Sequence, residues 1–494
     1  MNIQLLIALL YQVVAIVVVI HVVMDNRQPA KTMAWALVIY FVPVVGIVLY
    51  LFFGQNTRKE RLVSKRSLDQ LSKRSMLGFV EQSDLQLPEA HKPVIDLFIN
   101  ENFSLPFRAD GVEIFTDGYQ FFPALLRQIA QARSHIHIDM YIFADDALGH
   151  LVSDALIAKA REGVEVRVIY DDVGCWSVDR RFFERMREEG IEVMAFLPVR
   201  FPSFTSKVNY RNHRKLIVID GAVGFIGGMN FALRYVKGVK KIKGVKGYKE
   251  SNGKSDEAMD YWRDTMVMVT GVAVYSMQRA FLIDWYFVDR TLLSDRKYYP
   301  SNAQCTMHNA QCALLQTVTA GPVSPYPEIM QGYVRLILAA KQYVYIETPY
   351  FLPTEPVLFA LKAAAGSGID VRLLVPRHCD TWFAEWGGRS FLREAHKAGI
   401  HVSFYTAGFL HSKLMVCDDS VATCGSTNVD FRSFENNFEA NVFFYGDEVA
   451  RRMKELFLAD EAQSVPYAKS PSHLHPPFRI RLFESLVRLL SPLI

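Results

Sequence analysis

One pattern of polar residues and glycines occurs twice in the chain. His213 to Asn230 reads HRKLIVIDGAVGFIGGMN, and His411 to Asn428 reads HSKLMVCDDSVATCGSTN. Both stretches fit the pattern H-x-K-x4-D-x6-G-[GS]-x-N. Two matches to so long a pattern are hard to ascribe to chance. The chain is therefore predicted to contain one folding unit in two copies.

The segments that precede each pattern also repeat, in the same order. SHIHIDMYIF (134–143) resembles KQYVYIETPYF (341–351), which aligns Asp139 with Glu347. EGVEVRVIYD then resembles SGIDVRLLVP, and EGIEVMAF resembles AGIHVSF. The repeat is far longer than the period of a solenoid, so it indicates duplicated domains.

Each copy is predicted to alternate helices and strands. VEVRVIY and IDVRLLV are short, rich in β-branched residues and bounded by glycine, which is typical of buried strands in a helix-covered sheet. We predict an α/β fold with two tandem domains, 105–300 and 301–470, each a mixed sheet flanked by helices. Pseudo-two-fold packing would bring matching segments together at the interface. The alternative is two domains that share ancestry and touch elsewhere.

The N-terminal residues are apolar enough to insert into a membrane. The stretches 3–23 and 32–53 carry no charge, and each has about the 20 residues that cross a bilayer core as a helix. We predict that 1–56 is a two-helix transmembrane hairpin and that 57–104 is a basic juxtamembrane linker. A cleaved signal peptide is the alternative for the first stretch. It is disfavoured because no basic segment precedes that stretch and a second span follows it.

The charges beside these spans predict an orientation. The segment after the second span carries more basic residues than the turn, which has Arg27 and Lys31. The larger cluster comprises Arg58, Lys59, Arg61, Lys65 and Arg66. Because the more basic side tends to stay cytoplasmic, we expect a multi-pass protein of the inner (cytoplasmic) membrane with its catalytic domains facing the cytoplasm. The six cysteines form no C-x-x-C pair, which fits reduced thiols.

The two patterns place several polar groups together. His213 and Lys215 are two residues apart, so on a strand their side chains point to the same face. A single such pair would more often be structural, but here the pair recurs at His411 and Lys413. This duplicated pattern resembles that of the phospholipase D superfamily, whose members bring two such motifs together in one active site.

The resemblance implies a role for each residue at a phosphodiester. The lysines and asparagines would bind the non-bridging oxygens, one histidine would attack phosphorus, and the other would act as acid and base. The first-motif histidine is usually the nucleophile in this family, so His213 is assigned attack and His411 acid–base catalysis. The candidate catalytic set is His213, Lys215, Asp220, His411, Lys413 and Asp418, with Asn230 and Asn428 binding substrate.

Two further carboxylates complete the set of candidate site residues, and the two strand-end aspartates already in it have a second interpretation. Asp264 and Glu439 stand where relatives carry the carboxylates that orient the histidines. Asp220 and Asp418 lie at strand ends, where a salt bridge that supports the fold is favoured over catalysis. No metal is required, and no cofactor is expected. GYKESNGKS comes close to a phosphate-binding P-loop, but five residues separate its glycines where four are required.

The N-terminal region narrows the substrate class. Trp35, Pro43, Gly46 and the closing YLFFG resemble the anchor of bacterial cardiolipin synthases, as does YWRDT around Asp264. This resemblance implies transfer of a phosphatidyl group from one phosphatidylglycerol to another through a phosphohistidine, giving cardiolipin and glycerol. The expected partners are phosphatidylglycerol, anionic membrane lipids and the membrane, with no nucleic acid. The oligomeric state stays open.

Three other functions fit the sequence less well. A membrane-anchored phospholipase D would use water as acceptor and release phosphatidic acid. An anchored phosphodiesterase or nuclease would favour a strongly basic groove with stacking aromatic residues, and the net charge of +4 argues mildly against it. A scaffold with a decayed site ranks last because both motifs are intact.

Two segments of the sequence each allow two interpretations. The Lys/Gly-rich insert 234–254 is either a solvated loop or a basic flap that holds anionic headgroups. The tail 471–494 contains an amphipathic helix, which either lies on the bilayer or packs on the second domain. Its apolar residues are Phe478, Leu482, Leu486, Leu489 and Leu490, set against Arg481, Glu484 and Arg488.

Overall fold

A computed structural model describes most of the chain. The described residues are 3–25, 29–42, 44–54, 87–199, 209–236, 262–299 and 313–491. The basic cluster 58–66 and most of the Lys/Gly-rich insert lie outside them, as do Cys305 and Cys312. The other four cysteines form no disulfide, and three of them are buried.

The N-terminal region forms three helices, where two were predicted. They are α1 (Ile3–Asp25), α2 (Pro29–Phe41) and α3 (Val45–Phe53). Within the described residues, only α1 is long and apolar enough to cross a bilayer. The predicted second span over 32–53 is therefore divided between α2 and α3, and the two-helix hairpin is not confirmed. The helix α2 ends at Phe41 and α3 begins at Val45. Proline lacks a backbone donor and disfavours helix at the residue before it, an effect that hydropathy does not detect, and the sequence between the two helices contains a proline.

The first half alternates helices and strands as predicted. Its helices are α4 (Lys92–Asn102), α5 (Gly118–Gln131), α6 (Ala147–Arg161), α7 (Arg180–Glu188) and α8 (Val274–Asp289). Its strands are β1 (Phe107–Ala109), β2 (Gly111–Phe115), β3 (His135–Met140), β4 (Glu165–Asp171), β5 (Glu192–Phe196), β6 (Lys215–Ile219), β7 (Val223–Gly227), β8 (Trp262–Arg263) and β9 (Met266–Thr270).

The second half repeats this plan. Its helices are α9 (Glu328–Ala339), α10 (Glu355–Gly366), α11 (Trp382–Lys397), α12 (Phe431–Glu435), α13 (Asp447–Glu461), α14 (Pro471–Leu474) and α15 (Phe478–Leu490). Its strands are β10 (Ala313–Ala320), β11 (Tyr343–Glu347), β12 (Phe351–Leu352), β13 (Asp370–Pro376), β14 (His401–Tyr405), β15 (Phe409–Leu410), β16 (Leu414–Cys417), β17 (Val421–Gly425), β18 (Val429–Asp430), β19 (Glu439–Tyr445) and β20 (Ser464–Pro466).

The two main sheets have equivalent strand orders. The first is β2-β9-β7-β6-β3-β4-β5, and the second contains β10-β19-β17-β16-β11-β13-β14 in the matching positions. In each sheet three neighbouring strands are parallel and the others antiparallel. Every residue of β3, β6 and β11 is buried, because helices or the other sheet cover both faces. The predicted mixed-sheet α/β duplication is confirmed.

The segment that leads into the first half, α4 and β1, packs against the second half. The short strand β1 pairs antiparallel with β10, at the edge of the second sheet. The helix α4 buries Val94, Ile95 and Phe98 in the hydrophobic core of that half. The first strand after the predicted boundary at 105 thus belongs to the second sheet. A three-residue strand is too short for hydrophobic periodicity to assign.

Matching strands of the two halves meet in one core. Leu216 and Ile226, on β6 and β7, share a fully buried cluster with Leu414 and Cys424 on β16 and β17. These are equivalent positions of the two patterns. The pseudo-two-fold interface is therefore confirmed, and it places the residues that flank each pattern beside the other half.

The aspartates of the two patterns accept hydrogen bonds from the backbone. As predicted, Asp220 and Asp418 support the fold, but among the described residues they do so through backbone N–H groups and not through a salt bridge. Their place in the predicted catalytic set stays a prediction. Each carboxylate accepts three backbone N–H groups at the start of the neighbouring strand. The donors to Asp220 are Arg133, Ser134 and His135 at 2.9, 2.7 and 2.9 Å. The donors to Asp418 are Lys341, Gln342 and Tyr343 at 2.6, 2.8 and 2.9 Å.

Asp220→Ala and Asp418→Ala are expected to destabilise the fold and to leave catalysis intact. Each removes a charged acceptor from three N–H groups, which should lower the free energy of unfolding by about 1–3 kcal/mol. Thermal unfolding and hydrogen exchange at 133–135 or 341–343 measure this loss. Glu184→Ala, at an exposed carboxylate of α7, is the matched control. A hundredfold loss of activity with unchanged stability would instead assign these aspartates to the site.

Candidate active site

The two histidines reach the site on segments that cross between halves. His213 precedes β6, and its backbone N–H donates to Phe438 O at 2.9 Å. His411 precedes β16, and its N–H donates to Arg263 O at 2.7 Å. The strands β15 and β8 pair in parallel just before His411. Each histidine therefore lies against the residue that precedes the carboxylate of the other half.

The crossing gives each histidine a carboxylate from the opposite half. His213 Nδ1 lies 3.0 and 3.1 Å from the two carboxylate oxygens of Glu439. His411 Nδ1 lies 2.6 Å from Asp264 Oδ2. Both carboxylates are completely buried. A carboxylate on Nδ1 favours the tautomer with its proton there, so Nε2 is the ring nitrogen left for chemistry.

The two carboxylates are supported differently, which explains the variable Gly/Ser position of the pattern. Ser426 Oγ donates to Glu439, and Asn437 Nδ2 donates to the same carboxylate at 3.2 Å. At the equivalent position in the first half, a Cβ on Gly228 would overlap the carboxylate of Asp264. Asp264 accepts the N–H of Thr265 at 2.8 Å instead. The sequence did not predict the support from Asn437 or Thr265.

Both lysines of the patterns are buried beside the histidines. Lys215 Nζ donates to His213 O at 2.6 Å and lies 5.0 Å from the ring centre of Tyr141. Lys413 Nζ donates to His411 O in the equivalent way. Burial lowers the pKa of Lys215 to about 7, although the Glu439 carboxylate opposes the shift. Burial also lowers the pKa of Lys413 against the opposing charge of Asp264.

The lowered pKa values favour neutral imidazoles and charged carboxylates at the site. Burial lowers the pKa of His213 despite Glu439, and burial together with Lys413 lowers the pKa of His411 to about 3. Burial alone would raise the pKa values of Asp264 and Glu439. The lysine and histidine beside each carboxylate outweigh burial, so both pKa values lie below the ordinary range.

The two asparagines of the patterns differ in their contacts. Asn230 Oδ1 accepts the N–H of Ile142 at 3.1 Å, and its Nδ2 donates to the Tyr235 hydroxyl at 2.7 Å. Asn428 Oδ1 is buried and has no hydrogen-bond partner within the described ranges. Asn230 therefore helps to hold the first half together, and one of its two amide hydrogens is already engaged.

Aromatic rings enclose the histidines, which the sequence did not predict. The centre of the Tyr141 ring lies 4.9 Å from that of His213. Around His411, the nearest ring centres lie 5.0 to 6.4 Å away and belong to Trp262, Phe409, Tyr235 and Tyr350. Such walls lower the local dielectric constant and limit access of water.

A buried acid pair lies beneath the site in each half. Glu347 on β11 and Asp460 on α13 face each other, and Asp460 pairs with Arg263 at 2.7 Å. Burial and Asp460 raise the pKa of Glu347 to about 8, so this carboxyl is largely neutral at pH 7. In the first half, Asp139 and Asp284 form the equivalent pair beside Arg214. The aligned Asp139 and Glu347 thus occupy matching places.

Arginines link these acid pairs to the catalytic segments. Arg214 follows His213 in the chain, forms an ion pair with Asp284 and donates through Nε to Glu439 O at 3.0 Å. Arg263 precedes Asp264 in the chain. Arg214 therefore fixes the backbone at Glu439, and Arg263 joins Asp460 to the segment that carries Asp264. Within the described residues, no cluster of histidine, cysteine and acidic side chains could hold a metal ion.

Comparison with known proteins decides the family. A family model described as "Cardiolipin synthase, PLD-like domain" matches residues 125–240 and 333–460. A phospholipase D-nuclease N-terminal model matches 13–55. A cardiolipin synthase of Oceanobacillus iheyensis is 37% identical, over 95% of this chain and 95% of that protein. The major cardiolipin synthase ClsA of Bacillus subtilis is 36% identical, over 99% of both chains.

The chain belongs to the cardiolipin synthase family.

The cardiolipin synthase match contains both polar patterns and Glu439, whereas Asp264 lies outside the matched ranges. Among solved structures, a phosphatidylserine synthase of Haemophilus influenzae superposes with a TM-score of 0.60. It is 14% identical, and the superposition covers 81% of this chain and 100% of that one. That likeness supports the fold alone.

Proposed function

We propose that this phosphatidyltransferase of the cardiolipin synthase family transfers a phosphatidyl group between two phosphatidylglycerol molecules, releasing glycerol and forming cardiolipin. The observation that carries the proposal is the exchange of carboxylates between halves. His213 with Glu439, and His411 with Asp264, join the two patterns into one site with two oriented imidazoles. One nucleophile and one acid–base group are what a two-step phosphoryl transfer requires.

In the first step, a phosphatidylglycerol binds and loses its glycerol. Lys215 and Lys413 bind the non-bridging oxygens, with Asn428 beside them. His213 Nε2 attacks phosphorus while the bond from phosphorus to the glycerol oxygen breaks, and Glu439 stabilises the imidazolium that forms. The glycerol oxygen takes a proton from His411 Nε2. The bound anion raises the pKa of His411, because a negative charge nearby favours the protonated ring, and His411 takes this proton from solvent on Nε2 before the glycerol leaves.

In the second step, the acceptor lipid takes the phosphatidyl group. The terminal hydroxyl of a second phosphatidylglycerol gives its proton to His411 Nε2 and attacks phosphorus. The bond from phosphorus to His213 breaks, and cardiolipin leaves. One phosphodiester replaces another, so the reaction needs no nucleotide. The aromatic rings around His411 disfavour water as the competing acceptor.

The arrangement in the cell follows from the lipid substrate. The apolar residues of the N-terminal region, over 1–56, hold the protein to the inner membrane, and 57–104 links them to the catalytic halves. The catalytic halves lie on the cytoplasmic side, which the basic residues of 58–66 support. A multi-pass topology stays a prediction, because α1 is the single candidate span among the described residues.

The proposal is tested by incubating purified protein with vesicles that contain phosphatidylglycerol as their one phospholipid. Mass spectrometry should detect cardiolipin and an equal amount of glycerol without added nucleotide. Both products should be absent in His213→Ala and His411→Ala. Phosphatidic acid as the main product would make the protein a hydrolase. A strict requirement for a nucleotide-activated lipid would contradict the proposal.

The kcat/KM for phosphatidylglycerol is expected to fall as the pH rises above about 7. The pKa of Lys215 is lowered to about 7, so a higher pH removes the cation that binds the phosphodiester. Initial rates at fixed lipid composition from pH 6 to 9 measure this alkaline limb. In Lys215→Arg the limb should flatten, because guanidinium stays charged. A kcat/KM that is constant to pH 9 would contradict the lowered pKa.

A further inference from the structure

The C-terminal helix α15 is attached to the second half through polar groups. Its inner side carries Glu484, Val487 and the following Ser491, all buried against α11. Glu484 forms an ion pair with Arg393, and Arg488 forms one with Glu394 at 2.7 Å. Val487 also lies in the space beside Gly387. These contacts fix which side of the helix faces away from the protein.

The outer side of α15 is apolar. Phe478, Leu482, Leu486 and Leu489 are 78, 49, 53 and 68% exposed. At about 100° per residue, these four lie within one sector of about 80°. A helix on the surface of a water-soluble protein normally buries its apolar stripe and exposes its charges. Here the single carboxylate of the helix is buried and the leucines are exposed, so the arrangement is reversed.

The neighbouring groups indicate what the outer side contacts. Arg479 and Arg481 are exposed on the same helix, and no exposed carboxylate accompanies them. Trp382, at the start of α11, is 63% exposed. One turn later, the Trp386 ring meets that of Phe483 at 5.3 Å between centres. Arginine, tryptophan and an apolar stripe together are typical of a helix that lies in the interface of an anionic bilayer.

This surface adjoins the His411 side of the active site. Trp382 follows Asp380 by two residues, and the Tyr350 hydroxyl donates to Asp380 Oδ1 at 2.6 Å. The centre of the Tyr350 ring lies 6.4 Å from that of His411. A lipid leaving a bilayer at Trp382 would therefore be close to the acid–base histidine.

We propose that Trp382 and the outer side of α15 form a second membrane-contact surface, separate from the N-terminal helices. This surface lies in the headgroup region of an anionic bilayer and holds the His411 side of the site against it. The inference rests on the proposed function only in requiring a lipid substrate. Contact with the bilayer itself is measurable without any reaction.

The first test measures contact without activity. Full-length protein and Trp382→Phe are reconstituted in phosphatidylglycerol-containing vesicles with or without brominated lipid, a quencher of tryptophan fluorescence. The fluorescence contributed by Trp382, taken as the difference between the two proteins, should be strongly quenched. Equal fluorescence of Trp382 in brominated and ordinary lipid would overturn the proposal.

The second test separates the surface from the chemistry. The double variant Leu482→Glu/Leu486→Glu should lower kcat/KM on vesicles at least tenfold. It should leave kcat/KM on monomeric short-chain phosphatidylglycerol unchanged. Ser485→Glu, at an exposed position of the same helix beside the stripe, is the matched control and should change neither value. An equal loss on both substrates would overturn the proposal, as would unchanged activity on vesicles.

Other outcomes are also decisive. If the double variant converts a dimer into a monomer in detergent while Trp382 stays unquenched, the surface binds a second copy and the proposal is wrong. If the wild type forms no cardiolipin from either substrate while Trp382 is quenched, the proposed function fails and the membrane contact stands. The variants change solvent-facing residues, so circular dichroism should show unchanged folding.

Discussion

His213→Ala is expected to lower kcat for phosphatidyl transfer by about 10⁴-fold or more. In the proposed reaction His213 forms the bond to phosphorus, and its neighbour Lys215 is engaged with the His213 carbonyl. His411→Ala should cause a similar loss with phosphatidylglycerol, because glycerol leaves poorly without a proton. With a phosphatidyl ester of p-nitrophenol, which leaves without a proton, His411→Ala should recover release of p-nitrophenol and His213→Ala should not.

His150→Ala is the matched control for the histidine variants. This exposed histidine pairs with Asp145 at 2.8 Å and lies outside the site, so its replacement should leave kcat within about twofold. The roles would be exchanged if His213→Ala released p-nitrophenol from the activated ester and His411→Ala did not. His411 would then be the nucleophile and His213 the acid–base group. Substantial residual turnover in both variants would remove the histidines from the mechanism.

Glu439→Gln and Asp264→Asn are each expected to lower kcat by about 10²–10⁴-fold, with a smaller change in KM. Each substitution keeps the shape of the side chain but removes the charge that stabilises an imidazolium and fixes its tautomer. Because the pairs cross, Glu439→Gln impairs the histidine of the first half, and Asp264→Asn impairs that of the second. Glu113→Gln, at an exposed carboxylate of β2, should have no effect.

Nitrogen-15 spectra of the histidine side chains test the crossing directly. Glu439→Gln should shift the Nδ1 resonance of His213 and leave that of His411 nearly unchanged. Asp264→Asn should do the reverse. A shift of the histidine within the same half would contradict the exchange of carboxylates between halves.

The duplicated pattern predicted the main groups of the site because their identities depend on local spacing. His213, Lys215, His411 and Lys413 follow from a strand that carries alternate residues on one face. The partner of each histidine does not follow from spacing, because the exchange depends on how the two sheets pack. The aromatic rings around His411 also come from separate segments, and no local pattern joins them.

The two aspartates illustrate the limit of a motif. Asp220 and Asp418 stand at fixed distances from the histidines in sequence, so a pattern cannot separate them from catalytic groups. Asp220 follows the five-residue strand that begins at Lys215, so its backbone lies about 17 Å from that of Lys215 at 3.3–3.4 Å per residue. Only the paired backbone N–H groups show that these carboxylates secure the neighbouring strand.

The N-terminal region shows where hydropathy is insufficient. Uncharged residues over 32–53 predicted one span, since the average over a window counts side-chain polarity and not backbone hydrogen bonding. The chain forms α2 and α3 instead, with Val44 between them at φ 63°. The buried contact of Trp35 with Tyr50 joins the two helices, at 5.6 Å between ring centres.

Trapping the covalent intermediate tests the central claim most directly. Protein mixed with phosphorus-32-labelled phosphatidylglycerol is quenched in alkali, which preserves phosphohistidine, and digested for peptide mapping. Label should appear on the peptide that contains His213, accumulate in His411→Ala with the activated ester, and disappear in His213→Ala. Rapid turnover without any labelled histidine, or label confined to His411, would contradict the account.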